Sequence, residues 1–219
     1  MLRTALLSLA FTSSIGFAAL AQQDAGKLDE QGSAVPQALP VFGQLVAFAV
    51  PAGFKIVTER TEGNRYIREW VPAGETVDRW TEMITVTGAK GLAGNMSVTP
   101  ELLVTQIAAG FKHACPDTFS AKRMGAPQIS GQQALIVVVG CGTVITSITP
   151  RSQAALVVVI KGAADYYTVQ WAERGPASGQ RLDLGDPKWA ERLKRLSPIK
   201  VCPLLAGEGP PYPSCIDSN

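Results

Sequence analysis

Two apolar runs, Ala134-Leu135-Ile136-Val137-Val138-Val139 and Ala154-Ala155-Leu156-Val157-Val158-Val159-Ile160, restrict the possible folds of this chain more than any other feature. Both have the length of a strand and are rich in β-branched residues, and an unbroken apolar strand is stable only when both of its faces are covered. The chain therefore needs a sheet with other elements packed on it.

The remaining strands are read from alternation and from turn residues. Phe42 to Val50 suits a strand, Pro51-Ala52-Gly53 turns it, and Phe54 to Arg60 follows; Thr61-Glu62-Gly63-Asn64 is a hairpin turn leading into Arg65 to Val71. Trp80 to Thr87, Thr118 to Met124, Gln132 to Val139, Ala154 to Lys161 and Tyr166 to Glu173 complete the set. Two helices stand among them. The first has Thr99 as N-cap, Pro100 at its first position and a stripe at Leu103, Ile107 and Phe111, and stops at Cys115-Pro116. The second starts at Asp186-Pro187, places Trp189, Leu193 and Leu196 on one side and stops at Pro198. Hairpin-length links between strands favour an α+β fold: a mainly antiparallel sheet of about six or seven strands with helices on it.

The ends of the chain point to export. Arg3 precedes an apolar stretch reaching Leu20, and Ala19-Leu20-Ala21 forms a small-residue cleavage signal, so residues 1–21 read as a secretory signal peptide. Residues 22–40 read as a flexible leader, 41–200 as a single domain, and 201–219 as a disulfide-closed C-terminal tail. No later segment is long and apolar enough to span a bilayer. Four cysteines in an exported chain favour two disulfides, and of the three possible pairings Cys115 with Cys141 and Cys202 with Cys215 is the one expected here. The compartment expected is the periplasm, or the medium outside the cell. Without Arg3 the chain carries 19 basic and 18 acidic residues, a balance that gives no reason to expect nucleic acid as a partner.

Val50-Pro51-Ala52-Gly53-Phe54 resembles the strand-Pro-x-Gly-aromatic opening of the PsbP/Mog1-like fold, and Trp80 to Val86 resembles the strand before its first helix. The resemblance would cover residues 42–200. It implies an α/β/α sandwich and a binding or accessory role, and it transfers no functional residue.

No catalytic constellation emerges. His113 is the sole histidine and sits on the last turn of the first helix, no Gly-x-Ser-x-Gly elbow is present, and neither a metal site nor a cofactor is implied. Gly88, Gly91 and Gly94 lie between a strand and a helix, but their spacing fits a loop better than a phosphate cradle. Gly140 and Gly142 read as room around Cys141.

The candidate binding residues are Tyr66, Arg68, Trp70, Arg79 and Trp80, because aromatic rings beside arginine make interface anchors; the competing reading places Trp70 and Trp80 in the core. The expected protein is a non-enzymatic module, monomeric or weakly associating, for an envelope protein partner or a small ligand. One alternative is a hydrolase-like enzyme using scattered carboxylates such as Glu69, Glu82 and Asp165. Another is an envelope-surface structural protein using the basic face of the last helix, Lys188, Arg192, Lys194, Arg195 and Lys200.

Overall fold

The computed structural model describes residues 34–145 and 149–217. The signal peptide and residues 22–33 of the expected leader lie outside that range. No helix among the described residues is long and apolar enough to cross a membrane.

The strands form two sheets. The smaller contains β1 (Ala34–Val41), β2 (Gln44–Pro51) and β11 (Lys200–Pro203), in the order β1-β2-β11. The larger contains β3 (Phe54–Glu62), β4 (Arg65–Pro72), β5 (Glu82–Ala89), β6 (Phe119–Gly125), β8 (Gln132–Val144), β9 (Arg151–Lys161) and β10 (Tyr166–Pro176). Their order is β3-β4-β5-β10-β9-β8-β6, every neighbouring pair is antiparallel, and the two-residue β7 (Gln128–Ile129) pairs with β8. Among the described residues three α-helices, α1 (Pro100–Ala114), α2 (Lys188–Leu196) and α3 (Pro213–Ile216), and a 3-10 turn at Leu92–Gly94 complete the fold.

The two apolar runs are β8 and β9, paired Val137 to Val157 in the interior of the large sheet. Alternate residues feed two different cores, as a period of two requires. Ile136, Val138, Leu156, Val158 and Trp171 face β2 and α2, where they meet Val46, Phe48 and Trp189. Leu135, Val137, Val157 and Val159 face α1, which covers them with Leu103, Ile107 and Phe111. The sheet therefore has α1 on one face and the small sheet with α2 on the other.

Local chemistry explains the ends of the helices. The Thr99 side chain accepts a hydrogen bond from the Leu102 amide at 3.2 Å, with Pro100 in the first turn. The Asp186 carboxylate accepts one from the Lys188 amide at 2.9 Å. Two disulfides are present, Cys115–Cys141 and Cys202–Cys215, matching the expected pairing. The first ties the end of α1 to β8. Beside it, a side chain at Gly142 would collide with the carbonyls of Ser178 and Gln180, so the space there serves the backbone of that segment as well as the disulfide.

One reading needs correction. Ala34 to Pro40, taken with the leader, form most of β1, and Leu39 is in the core. Pro36 and Pro40 suggested a loop, yet β1 is an edge strand, where a missing amide donor is tolerated. At the other end, Val201 to Pro203 pair with β2, while Tyr212 and Cys215 pack against Leu45 and Ala47 on the outside of the small sheet.

Candidate functional site

The five residues singled out in the sequence do not form one surface. Tyr66, Arg68 and Trp70 lie on the face of β4 turned to the small sheet. Tyr66 and Trp70 are buried there, with Trp70 edge-on to Phe48 at 5.5 Å between ring centroids. The Tyr66 hydroxyl donates to Glu59 at 3.0 Å, and burial with that bond pushes the phenol far above its ordinary pKa, which fixes it as a donor. Arg68 pairs with Glu59 at 3.4 Å and lies over Trp70. Trp80 is buried against Val71 and Met83 on the opposite face of the sheet, and Arg79 is exposed in the preceding turn.

Trp80 nevertheless leads to a site. The Arg174 amide donates to the Thr81 carbonyl at 2.8 Å, which brings the end of β10 beside the Trp80 segment. The Arg174 guanidinium carbon then sits 3.6 Å from the centroid of the Trp80 ring. Its Nε donates to Gln153 Oε1 at 3.0 Å. Stacked on one side and bonded at Nε, the guanidinium is held in place.

Arg174 lines a cavity of about 510 Å³ between the C-terminal half of α1 and the ends of β8, β9 and β10. Strand register builds its floor. Cys141, Gln153 and Arg174 lie in one row across the three strands, and Val144 pairs with Arg151 in the next. Ile107 and Phe111 of α1 form the apolar wall, continued by Val144. Arg151 and Arg174 have no carboxylate within 4 Å among the described residues. Burial, with the Arg151 charge adding to it, pushes Arg174 below its ordinary pKa. The arrangement is a partly apolar cavity carrying two positive charges with no ion-pair partner among the described residues, of a size that holds small ligands.

The other candidates have internal partners. Glu82 and Glu173 face each other across β5 and β10, and Arg192 of α2 bridges them at 2.6 and 2.7 Å; Lys188 adds a contact to Glu173 at 3.0 Å. Burial pushes Glu82 above its ordinary pKa against the pull of Arg192. Asp165 lies eight residues before Glu173, about 26 Å along an extended chain, and Glu69 is on the other face of the sheet, so these carboxylates do not converge. The same ion pairs turn Lys188 and Arg192 inward and reduce the basic face of α2. The Gly91 amide donates to Asp165 Oδ1 at 2.7 Å, so the chain's own carboxylate takes the place an anion would need. His113 is exposed, and no group of metal-ligating side chains occurs among the described residues.

Sequence reasoning missed Arg151, Gln153 and Arg174. They form no motif: Arg151 and Gln153 are neighbours on β9, but Arg174 lies 21 residues beyond Gln153 and meets them only through strand register. The one available signal was the polar Gln153 immediately before the apolar run of β9.

No protein-family model matches the chain, and no curated protein matches it. Among solved structures it is similar to LpqN, involved in cell envelope biogenesis of Mycobacterium tuberculosis, at 13% identity over 78% of this chain and 93% of that one, with a TM-score of 0.41. It is also similar to PA94, a Pseudomonas aeruginosa protein of unknown function, at 13% identity over 74% and 96% of the two chains, with a TM-score of 0.37. Mog1p, a Ran-binding protein of Saccharomyces cerevisiae, is similar at 13% identity over 73% and 84%, with a TM-score of 0.41.

Proposed function

We propose that the chain is an exported, non-enzymatic binding module of the periplasm that takes a small anionic ligand into the cavity beneath α1. One observation carries this reading: among the described residues Arg151 and Arg174 share a cavity without a carboxylate partner, while Glu82 and Glu173 elsewhere on the sheet are paired with Arg192. An anion placed between the guanidinium groups relieves their mutual repulsion and is held by charge-assisted hydrogen bonds, each about twice as strong as a neutral one. The disulfides and the export signal agree with an oxidising compartment. The non-enzymatic part rests on the scattered placement of the carboxylates; His113, although it neighbours Ala114 on α1, is not among the residues that line the cavity.

Isothermal titration with benzoate and phenyl phosphate, against neutral benzamide, tests the reading. The anions bind and benzamide does not, and an Arg151→Gln/Arg174→Gln variant that remains folded loses the difference. Equal binding of anions and benzamide, or anion binding untouched in that variant, sinks it.

A further inference from the structure

The cavity's two sides differ in chemistry. The strand side carries the arginines and Gln153, held by the sheet, whereas the helix side offers Ile107 and Phe111 one turn apart. Gln106, Gly110 and Ala114 form the neighbouring stripe of α1, at i, i+4 and i+8. Gly110 stands out within it. A β-carbon built there meets no atom within 4 Å, so alanine would fit and would favour the helix, yet glycine occupies the position and lines the cavity. With no close approach or positive φ to require it, the missing side chain has one visible effect, which is to keep the space along α1 open.

Resting on the anion-binding reading above, we infer that the ligand is a slender amphiphile, with an oxyanion head at Arg151 and Arg174 and an unbranched apolar body lying along α1 beside Gly110, Ile107 and Phe111. The charged head satisfies the arginines, and the body covers apolar surface that the fold leaves accessible. A carboxylate and a phosphate monoester both supply such a head.

The test is isothermal titration with acetate, octanoate, decanoate and decyl phosphate, each below its micelle concentration, and with decanol as the neutral control. Affinity rises at least tenfold from acetate to decanoate. Decanol binds at least tenfold more weakly than decanoate. Gly110→Leu, whose side chain enters the open space, lowers decanoate affinity at least tenfold without lowering the thermal midpoint, and Arg174→Gln lowers the affinity of both ten-carbon anions. Tighter binding of decanoate supports a carboxylate head, and tighter binding of decyl phosphate supports a phosphate head. If acetate binds as well as decanoate, or if folded Gly110→Leu binds decanoate like the wild type, the amphiphile inference falls while the anion reading stands. If no anion binds the folded wild type, both fall.

Discussion

The guanidinium of Arg174 lies 3.6 Å from the centroid of the Trp80 ring while its Nε is bonded to Gln153, so one buried aromatic side chain both fills a core and orients a charge at a cavity. Trp80→Ala is expected to cost about 3 kcal/mol or more, the range for truncating a buried tryptophan, and to weaken anion binding beyond what the stability loss explains. Trp80→Phe keeps a ring beneath the guanidinium and is expected to retain most of the binding. Urea denaturation beside benzoate titration separates the two effects; full binding by a folded Trp80→Ala variant would contradict the positioning role.

Gly110→Ala is expected to raise stability by about 0.5–1 kcal/mol, because alanine loses less backbone entropy in a helix interior and the site has room for a β-carbon. The measurement is the urea midpoint at constant m-value. A destabilised variant would show that glycine answers a structural need at this position.

The pH dependence of Glu82 has a defined sign. Burial raises its pKa in the folded protein above the ordinary value of 4.5, so the folded state holds this proton more tightly than the unfolded state. The resulting contribution is fully present below the unfolded pKa and is lost as pH rises through the folded pKa. Glu82→Gln stays neutral throughout, so its stability relative to wild type should improve as pH rises from 4.5 through that window. Urea denaturation at a series of pH values checks this. A variant that loses ground with rising pH would mean that the pairing with Arg192 outweighs burial.

The Cys115–Cys141 disulfide closes a separation of 26 residues and anchors the end of the helix that walls the cavity. Cys115→Ala/Cys141→Ala is expected to lose about 3 kcal/mol, the usual scale for such a loop. Hydrogen exchange should quicken first at Phe111 to Ala114. Unchanged protection there would show that packing on β8 holds the end of α1 without the bridge.

The course of the chain was legible where one local property decides it. Unbroken β-branched runs placed β8 and β9 in the interior of the sheet, covered on both faces, Thr99 and Pro100 started α1, and both disulfides paired as expected. Reading Pro36 and Pro40 as loop residues hid β1, and with it the small sheet that covers one face of the large sheet. That omission left Tyr66, Arg68 and Trp70 looking available for a partner, when Trp70 packs against Phe48 of β2, Tyr66 is buried in the same core and Arg68 pairs with Glu59. The cavity was invisible for a different reason: Arg151 and Arg174 come together through the pairing of β9 with β10, a relationship between strands rather than between neighbours in sequence.

The most direct measurement is a titration of the protein with decanoate followed through the side-chain Nε resonances of its arginines by 15N NMR. The account predicts that Arg174 and Arg151 shift together and saturably, that the Gln153 amide follows, and that Arg192, engaged by Glu82 and Glu173, does not move. Shifts confined to other arginines, or none at saturating decanoate, would contradict it.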